Sequence, residues 1–268
     1  MKLTLPAILS IIMLSACNSN PKSIDDPGPS SAMVFAETAE PGAGAELYQK
    51  ARGLLQRNQF ESAVQEFENL EATHPFSDYA AQARLDIAYA YYRLKEYDSS
   101  TAAANRFLKL YPQSAKADYA YYLKGLSNFS RGKSLTEGLV PRKLHLMDQS
   151  ALRLAFDEFS TLVTRFPSSD FADDSQARMR LLRNEMARHE LITAEYYFER
   201  SAMVAVINRV NTMLETYPDS SYSADGLALL ARAYLALGNR SLAAETVREL
   251  EIRDPEHRDL RIFSGLQS

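Results

Sequence analysis

The chain has 268 residues, which is enough for one or two domains with a substantial core. Apolar residues make up 46% and charged residues 24%, which excludes wholesale disorder, a collagen-like fibre and a polytopic membrane protein. The net charge of -4 provides no global basic field, so nucleic acid is not an expected partner. A single cysteine excludes an intrachain disulfide framework and a multi-cysteine metal site.

Residues 1–16 have the pattern of a signal peptide. Lys2 precedes a mostly apolar stretch, residues 3–13, which is shorter than the ~20 residues of a membrane span. The motif Leu14-Ser15-Ala16-Cys17 resembles the bacterial lipobox, which implies cleavage before Cys17 and covalent lipid on that cysteine. Asn18 in the next position implies outer-membrane delivery in a Gram-negative bacterium. The alternative is a signal without lipid, followed by a chance cysteine.

Residues 17–44 are rich in proline, glycine and serine and have little apolar periodicity. This composition is typical of a flexible tether. We expect the tether to join the lipid to a folded part that spans residues 45–268.

A recurring proline marks repeats in the folded part. It usually follows an aromatic residue or histidine and precedes a serine by two positions. The spacings between successive copies are 37, 55, 51 and 37 residues, and the prolines are Pro75, Pro112, Pro167, Pro218 and Pro255. Since proline cannot continue a helix and serine caps the next one, each copy predicts a helix end followed by a helix start.

The residues before each proline repeat as well. The position twelve residues before it is mostly small: Ala63, Ser100, Ala155, Val206 and Ala243. The positions eight and five residues before it are mostly apolar, which completes one helical stripe. The pattern resembles the tetratricopeptide repeat, which implies an all-α, right-handed α-solenoid of five helical hairpins with a concave groove. A plain helical bundle is the alternative.

The two long spacings locate insertions. One lies near residues 130–147 in the third unit, is basic, and is either a contact loop or a solvated decoration. The other, in the fourth unit, falls in a segment without proline or glycine and predicts a lengthened helix near residues 171–198.

The sequence offers little chemistry for catalysis. No histidine spacing suits a metal, no serine lies in a nucleophile motif, and no cofactor other than the lipid on Cys17 is expected. We therefore expect no enzyme activity. Tyrosines are abundant in the second and third units, where they belong either to the core or to a client-binding groove; the candidates are Tyr79, Tyr89, Tyr92 and Tyr122.

Two segments resemble the BamD family of outer-membrane β-barrel assembly lipoproteins. They are residues 74–92, HPFSDYAAQARLDIAYAYY, and residues 194–210, AEYYFERSAMVAVINRV. The resemblance covers the chain from Cys17 to about Tyr222. It implies a periplasm-facing scaffold at the outer membrane. Its implied partners are the periplasmic domains of BamA, accessory Bam lipoproteins and segments of unfolded outer-membrane proteins.

The resemblance also implies a partner-binding site in the second segment. Arg209 matches the arginine of the family's Asn-Arg-Val motif, which is associated with coupling to BamA, and Asn208, Tyr196 and Tyr197 are the other candidates. An adaptor lipoprotein of another envelope complex, serving peptidoglycan synthesis or the Tol-Pal system, is the alternative function. An envelope hydrolase ranks last because the sequence supplies no acid, base or nucleophile for it.

Overall fold

The computed structural model describes residues 42–131 and 143–266, and these ranges contain ten α-helices and no strand. The predicted signal peptide, Cys17 and the tether up to residue 41 lie outside the described residues. Two short 3-10 segments, Leu144–Leu146 and Arg258–Leu266, complete the structure. The helices are α1 (Ala45–Gln56), α2 (Phe60–Thr73), α3 (Ala80–Arg93), α4 (Tyr97–Leu110), α5 (Ala117–Ser130), α6 (Gln149–Arg165), α7 (Ala172–Glu199), α8 (Met203–Thr216), α9 (Ser223–Ala236) and α10 (Arg240–Arg253).

The helices form five hairpins that follow one another along the chain. Each helix packs against the helices before and after it, and the first helices of neighbouring hairpins also meet, α3 with α5 and α7 with α9. The prediction of an all-α solenoid of five hairpins is confirmed. Because each hairpin packs against its neighbours about as extensively as its two helices pack against each other, stacking contributes to the stability of the solenoid.

The second helix of each of the first four hairpins ends at the predicted proline. The residues before these prolines have φ between -134° and -127° and ψ between 55° and 62°, outside the helical region. A following proline ring disfavours the helical region for the residue before it, which is consistent with these angles. The serine two residues after the proline then accepts a backbone N–H through Oγ at Ser114, Ser169 and Ser220, whereas Oγ of Ser77 is buried without a partner.

The turns inside four of the hairpins share a feature that the sequence analysis did not find. Each has three residues, and the middle one has a positive φ: 57° at Asn58, 63° at Lys95, 57° at Ser201 and 78° at Gly238. The next residue donates its N–H to a carbonyl five residues back, as Ala202 does to Tyr197 at 3.0 Å. This is the Schellman arrangement, which satisfies the last carbonyls of one helix and reverses the chain within a few residues.

The repeat columns identified in the sequence form the core. All five residues twelve positions before the prolines are fully buried, and the residues eight and five positions before them are at most 1% exposed. The stripe does not extend to the first residue of α10, because Arg240, fifteen residues before Pro255, is exposed there. At this end the core is closed instead by Phe263, which is 1% exposed and packs with Leu227, Val247 and Leu250.

Helix α7 has 28 residues, compared with 17 in α6 and 14 in α8, and it covers the segment that the sequence assigns to a lengthened helix. Residues 132–142 of the basic insertion lie outside the described residues. The chain returns at Leu144–Leu146 and is fixed to the middle of α7, where His145 N donates to Glu185 at 3.1 Å and the His189 ring contacts the His145 carbonyl at 2.7 Å. In both described ranges, no helix combines the length and apolar character that a membrane crossing needs.

Candidate functional site

The C-terminal end of α7 and the facing side of α8 form an open cleft. Its volume is about 350 Å³, and its lining residues are Tyr197, Ala205, Asn208, Arg209 and Thr212. The three α8 residues 205, 208 and 212 recur at helical spacing, so they share one face of that helix. The tight turn at Ser201 brings Tyr197 of α7 opposite this face.

An ion pair defines the chemistry of the cleft. Nη1 of Arg209 donates to Oε2 of Glu190 at 2.8 Å, across the hairpin from α8 to α7. The two side chains differ in exposure, with 45% for Arg209 and 7% for Glu190. A guanidinium carries five N–H donors in a planar fork, so an arginine with one edge on a carboxylate can bind a second acceptor with the other.

Two aromatic rings extend the site beyond the cleft. Tyr196 is 51% exposed, and its ring centroid lies 5.7 Å from that of Tyr197 in an edge-on arrangement. The guanidinium of Arg200 lies 3.5 Å from the Tyr196 ring centroid. This stacking holds the exposed ring in place by a cation–π contact.

The structure therefore brings together the four residues assigned to partner binding. Tyr197, Asn208 and Arg209 line the cleft, and Tyr196 packs on Tyr197 beside it. Exposed aromatic and arginine side chains at one place are typical of protein interfaces. Contact of these residues with a partner stays a prediction.

The four tyrosines proposed for a client-binding groove are all buried. Their exposures are 6% for Tyr79, 4% for Tyr89, 8% for Tyr92 and 1% for Tyr122. Tyr122 donates to Asp174 at 2.7 Å, and Tyr89 accepts from Arg93 at 2.6 Å. Of the two alternatives, core and groove wall, the structure places these side chains in the core, because their rings fill the contacts between helices. Their contact with a client stays a prediction.

A buried polar cluster in the first three hairpins was missed by the sequence analysis. Asp86, 1% exposed, accepts from the hydroxyl of Tyr48 at 3.0 Å and from the amide of Gln82 at 2.9 Å. The Gln82 carbonyl accepts from Nζ of Lys116 at 2.6 Å. The available signal was an aspartate inside an otherwise apolar stretch, residues 85–90.

Burial controls the ionisation of this cluster. Loss of hydration raises the pKa of the Asp86 carboxyl to about 6, although the hydrogen bonds from Gln82 and Tyr48 oppose the shift. Burial also lowers the pKa of Lys116 and raises that of Tyr48. The cluster joins α1, α3 and α5 and is structural in character.

No group of three or more His, Cys, Asp or Glu residues in the described ranges has an arrangement that could hold a metal ion. The four histidines lie apart along the chain. The His145 ring contacts Glu185 of α7, and the His189 ring of α7 contacts the His145 carbonyl.

Comparisons with known proteins found a family model, curated relatives and solved structures to which this chain is similar. The model of the YfiO family, described as "Outer membrane lipoprotein", matches residues 42–250. Among solved structures, the TPR2AB domain of yeast Sti1 in its pHSP90 complex is 13% identical to this chain. The match has a TM-score of 0.41 and covers 82% of this chain and 80% of that chain.

Curated relatives match most of the chain. The protein from Xylella fastidiosa (strain 9a5c) is 36% identical over 79% of this chain and 72% of its own length. The protein from Neisseria meningitidis (strain DSM 15465 / Z2491) is 39% identical over 78% and 79%. Both are named "Outer membrane protein assembly factor BamD". The chain belongs to the YfiO family of outer membrane lipoproteins.

Proposed function

We propose that the protein is a lipid-anchored scaffold subunit of the outer-membrane β-barrel assembly complex, facing the periplasm. Its relatives' name, outer membrane protein assembly factor, supports the process, and the family description supports the location. The role is that of a scaffold rather than a catalyst, since stacked hairpins offer extended surfaces for other polypeptides.

The anchor in this proposal is covalent lipid on Cys17. Each buried acyl methylene contributes ~0.8 kcal/mol, so several chains hold the solenoid at the outer membrane without a spanning helix. Mass spectrometry of the mature protein tests this step. A lipid-modified peptide that begins with Cys17 is expected, and an intact residue 16–17 bond would contradict it.

The main partner in this proposal is the set of BamA periplasmic domains, bound at the Arg209 cleft. The observation that carries the proposal is the conjunction there of a half-exposed guanidinium, Asn208 and two tyrosines, because arginine and tyrosine dominate the binding energy of protein interfaces. Accessory Bam lipoproteins and unfolded outer-membrane protein segments bind elsewhere on the solenoid. We place the client segments at the N-terminal hairpins.

Recovery of BamA from detergent-solubilised membranes tests this function. The tagged full-length protein is expected to recover BamA, and Arg209→Glu to reduce the yield about tenfold, since the substitution reverses the charge in the cleft. Arg183→Glu is the matched control, because it makes the same charge reversal at an arginine that also lies on the solenoid surface in an ion pair, with Asp219 at 3.5 Å.

Two results would contradict the proposal. Clean absence of BamA, with proteins of peptidoglycan synthesis or the Tol-Pal system in its place, would favour the other envelope adaptor. Equal loss of BamA recovery with Arg209→Glu and Arg183→Glu would show that the Arg209 cleft is not part of the interface.

A further inference from the structure

Glu190 is a buried carboxylate with a single cationic partner among the described residues. It is 6% exposed and lies on the face of α7 that carries the buried residues Ala187, Leu191 and Ala194. An isolated charge in such surroundings is strongly unfavourable, so an acidic residue here needs a compensating cation. The only ion pair that the described chain gives it is the one to Arg209.

The ion pair uses one edge of the guanidinium. Nη1 of Arg209 donates to Glu190 at 2.8 Å, and the described chain provides no other hydrogen bond to this arginine. Arg209 also lines the cleft, together with Tyr197, Asn208 and Thr212, and its side chain is 45% exposed.

Glu190 lies near polar groups of two other helices. Burial raises the pKa of Tyr217, which is 7% exposed, the nearby Arg153 guanidinium lowers it, and the nearby Glu190 carboxylate raises it. Arg153 lies on α6, Glu190 on α7, and Tyr217 directly after α8. A carboxylate buried among packed helices has less conformational freedom than the half-exposed arginine side chain with which it pairs.

We propose that Glu190 is a positioning residue for partner binding: its buried carboxylate holds one edge of the Arg209 guanidinium, so that the opposite edge is presented to an acceptor oxygen of the partner. This inference rests on the proposed function, because it assumes that Arg209 contacts a partner. An arginine that is fixed before binding loses less side-chain freedom on docking, and this preorganisation raises affinity without adding a contact to the partner.

The test uses Glu190→Gln in the full-length, lipidated protein in detergent. Glutamine keeps the size and one acceptor oxygen but removes the charge. The purified periplasmic domains of BamA from the same organism are titrated into it, and the dissociation constant is measured. We expect affinity to fall about five- to tenfold, with unchanged helical content.

The matched control is Glu158→Gln. Glu158, whose side chain is 16% exposed, forms an ion pair with Lys124 at 2.7 Å, on α6 and α5, away from the cleft. Both variants remove the charge of a largely buried carboxylate that is paired with a cation, so a general effect of destabilisation affects both. The positioning role requires that only Glu190→Gln weakens binding. Should Glu190→Gln fail to fold, Glu190→Met removes the charge while filling the same space, and the same loss of affinity is expected.

A double-mutant cycle separates positioning from a merely structural role. In an Arg209→Gln background, Glu190→Gln should have less than a twofold effect, since the side chain that it positions is gone. An undiminished effect in that background would overturn the inference. If Arg209→Gln weakens binding and Glu190→Gln alone does not, the inference is wrong and the proposed function stands. If neither variant changes the dissociation constant, the Arg209 cleft is not the BamA site. In that case the inference and the proposed binding of BamA at this cleft are both wrong.

Discussion

Gly125 of α5 lies directly against the ring of Phe159 of α6. A Cβ atom on Gly125 would lie 2.5 Å from Cε1 of Phe159, closer than carbon atoms can approach, and Phe159 is fully buried. The two helices of the third hairpin therefore approach at this point only because the residue has no side chain. This contact occurs in the hairpin that also carries the long insertion, so it fixes the helices on either side of that loop.

The glycine contact predicts that Gly125→Ala destabilises the protein by about 1–3 kcal/mol, through overpacking against a rigid ring. Gly53→Ala in α1 is the control, since its Cβ would meet nothing closer than Nη2 of Arg57 at 3.7 Å. The control should be neutral or stabilising by up to about 1 kcal/mol, because alanine favours helix. Urea denaturation measures both, and equal effects would show that the approach of α5 to α6 is not tight.

The left-handed turn residues make a second prediction. Gly238 has φ 78° and no neighbour within 4 Å of a Cβ, so Gly238→Ala tests backbone conformation alone. We expect a loss of about 1 kcal/mol, which is the cost of a side chain in this conformation. Lys95→Gly, at φ 63° in the equivalent turn, should instead stabilise by about 0.5–1 kcal/mol. The same sign for the two changes in thermal unfolding would contradict this account.

The buried Asp86 predicts a pH effect on stability. Its folded-state pKa of about 6 exceeds the ordinary value of 3.8, so folding favours the protonated carboxyl. The stabilisation from that proton is complete below the ordinary pKa and is lost as the pH rises through about 6, by roughly 3 kcal/mol at most.

Asp86→Asn removes this titration. The stability of Asp86→Asn relative to the original protein should therefore rise between pH 4.5 and pH 7, when chemical denaturation is measured at several pH values. Asp98→Asn is the control, because the Asp98 side chain is 87% exposed. If the difference in stability between Asp86→Asn and the original protein does not change with pH, the Asp86 carboxyl does not titrate in this pH range.

A fourth prediction concerns the last hairpin. Ala243 is fully buried where α10 packs on α9, so Ala243→Leu should cost about 1–3 kcal/mol by overpacking. Arg248→Leu, on the exposed face of the same helix, introduces the same side chain without that contact. Chemical denaturation compares them, and an unchanged midpoint for Ala243→Leu would disprove close packing at this position.

The sequence located the hairpins because the rules that end a helix are local. Pro75 and Pro112 act on the residue just before them, and the column that contains Ala63 and Ser100 needs only the helical repeat to be recognised. The left-handed turns were missed, since Asn58, Lys95 and Ser201 have no common residue type. Their shared conformation follows from the length of the turn.

The candidate site was predicted only in part. Resemblance within one segment assigned Arg209 and Tyr197 to partner binding, but it did not indicate that Arg209 pairs with Glu190, nineteen residues earlier in the chain. The tyrosines of the second and third units could be assigned to core or groove only from packing, because a tyrosine is suited to both.

The sequence by itself determined the repeat, the helix ends and the buried stripe, since these depend on neighbours within a few turns of one helix. The tertiary structure decided which polar side chains share a contact, Asp86 with Tyr48 and Glu190 with Arg209. The physical reason is that such a pair forms only when separate helices pack at a particular offset. That offset is set by the shapes of all the side chains between them rather than by any local pattern.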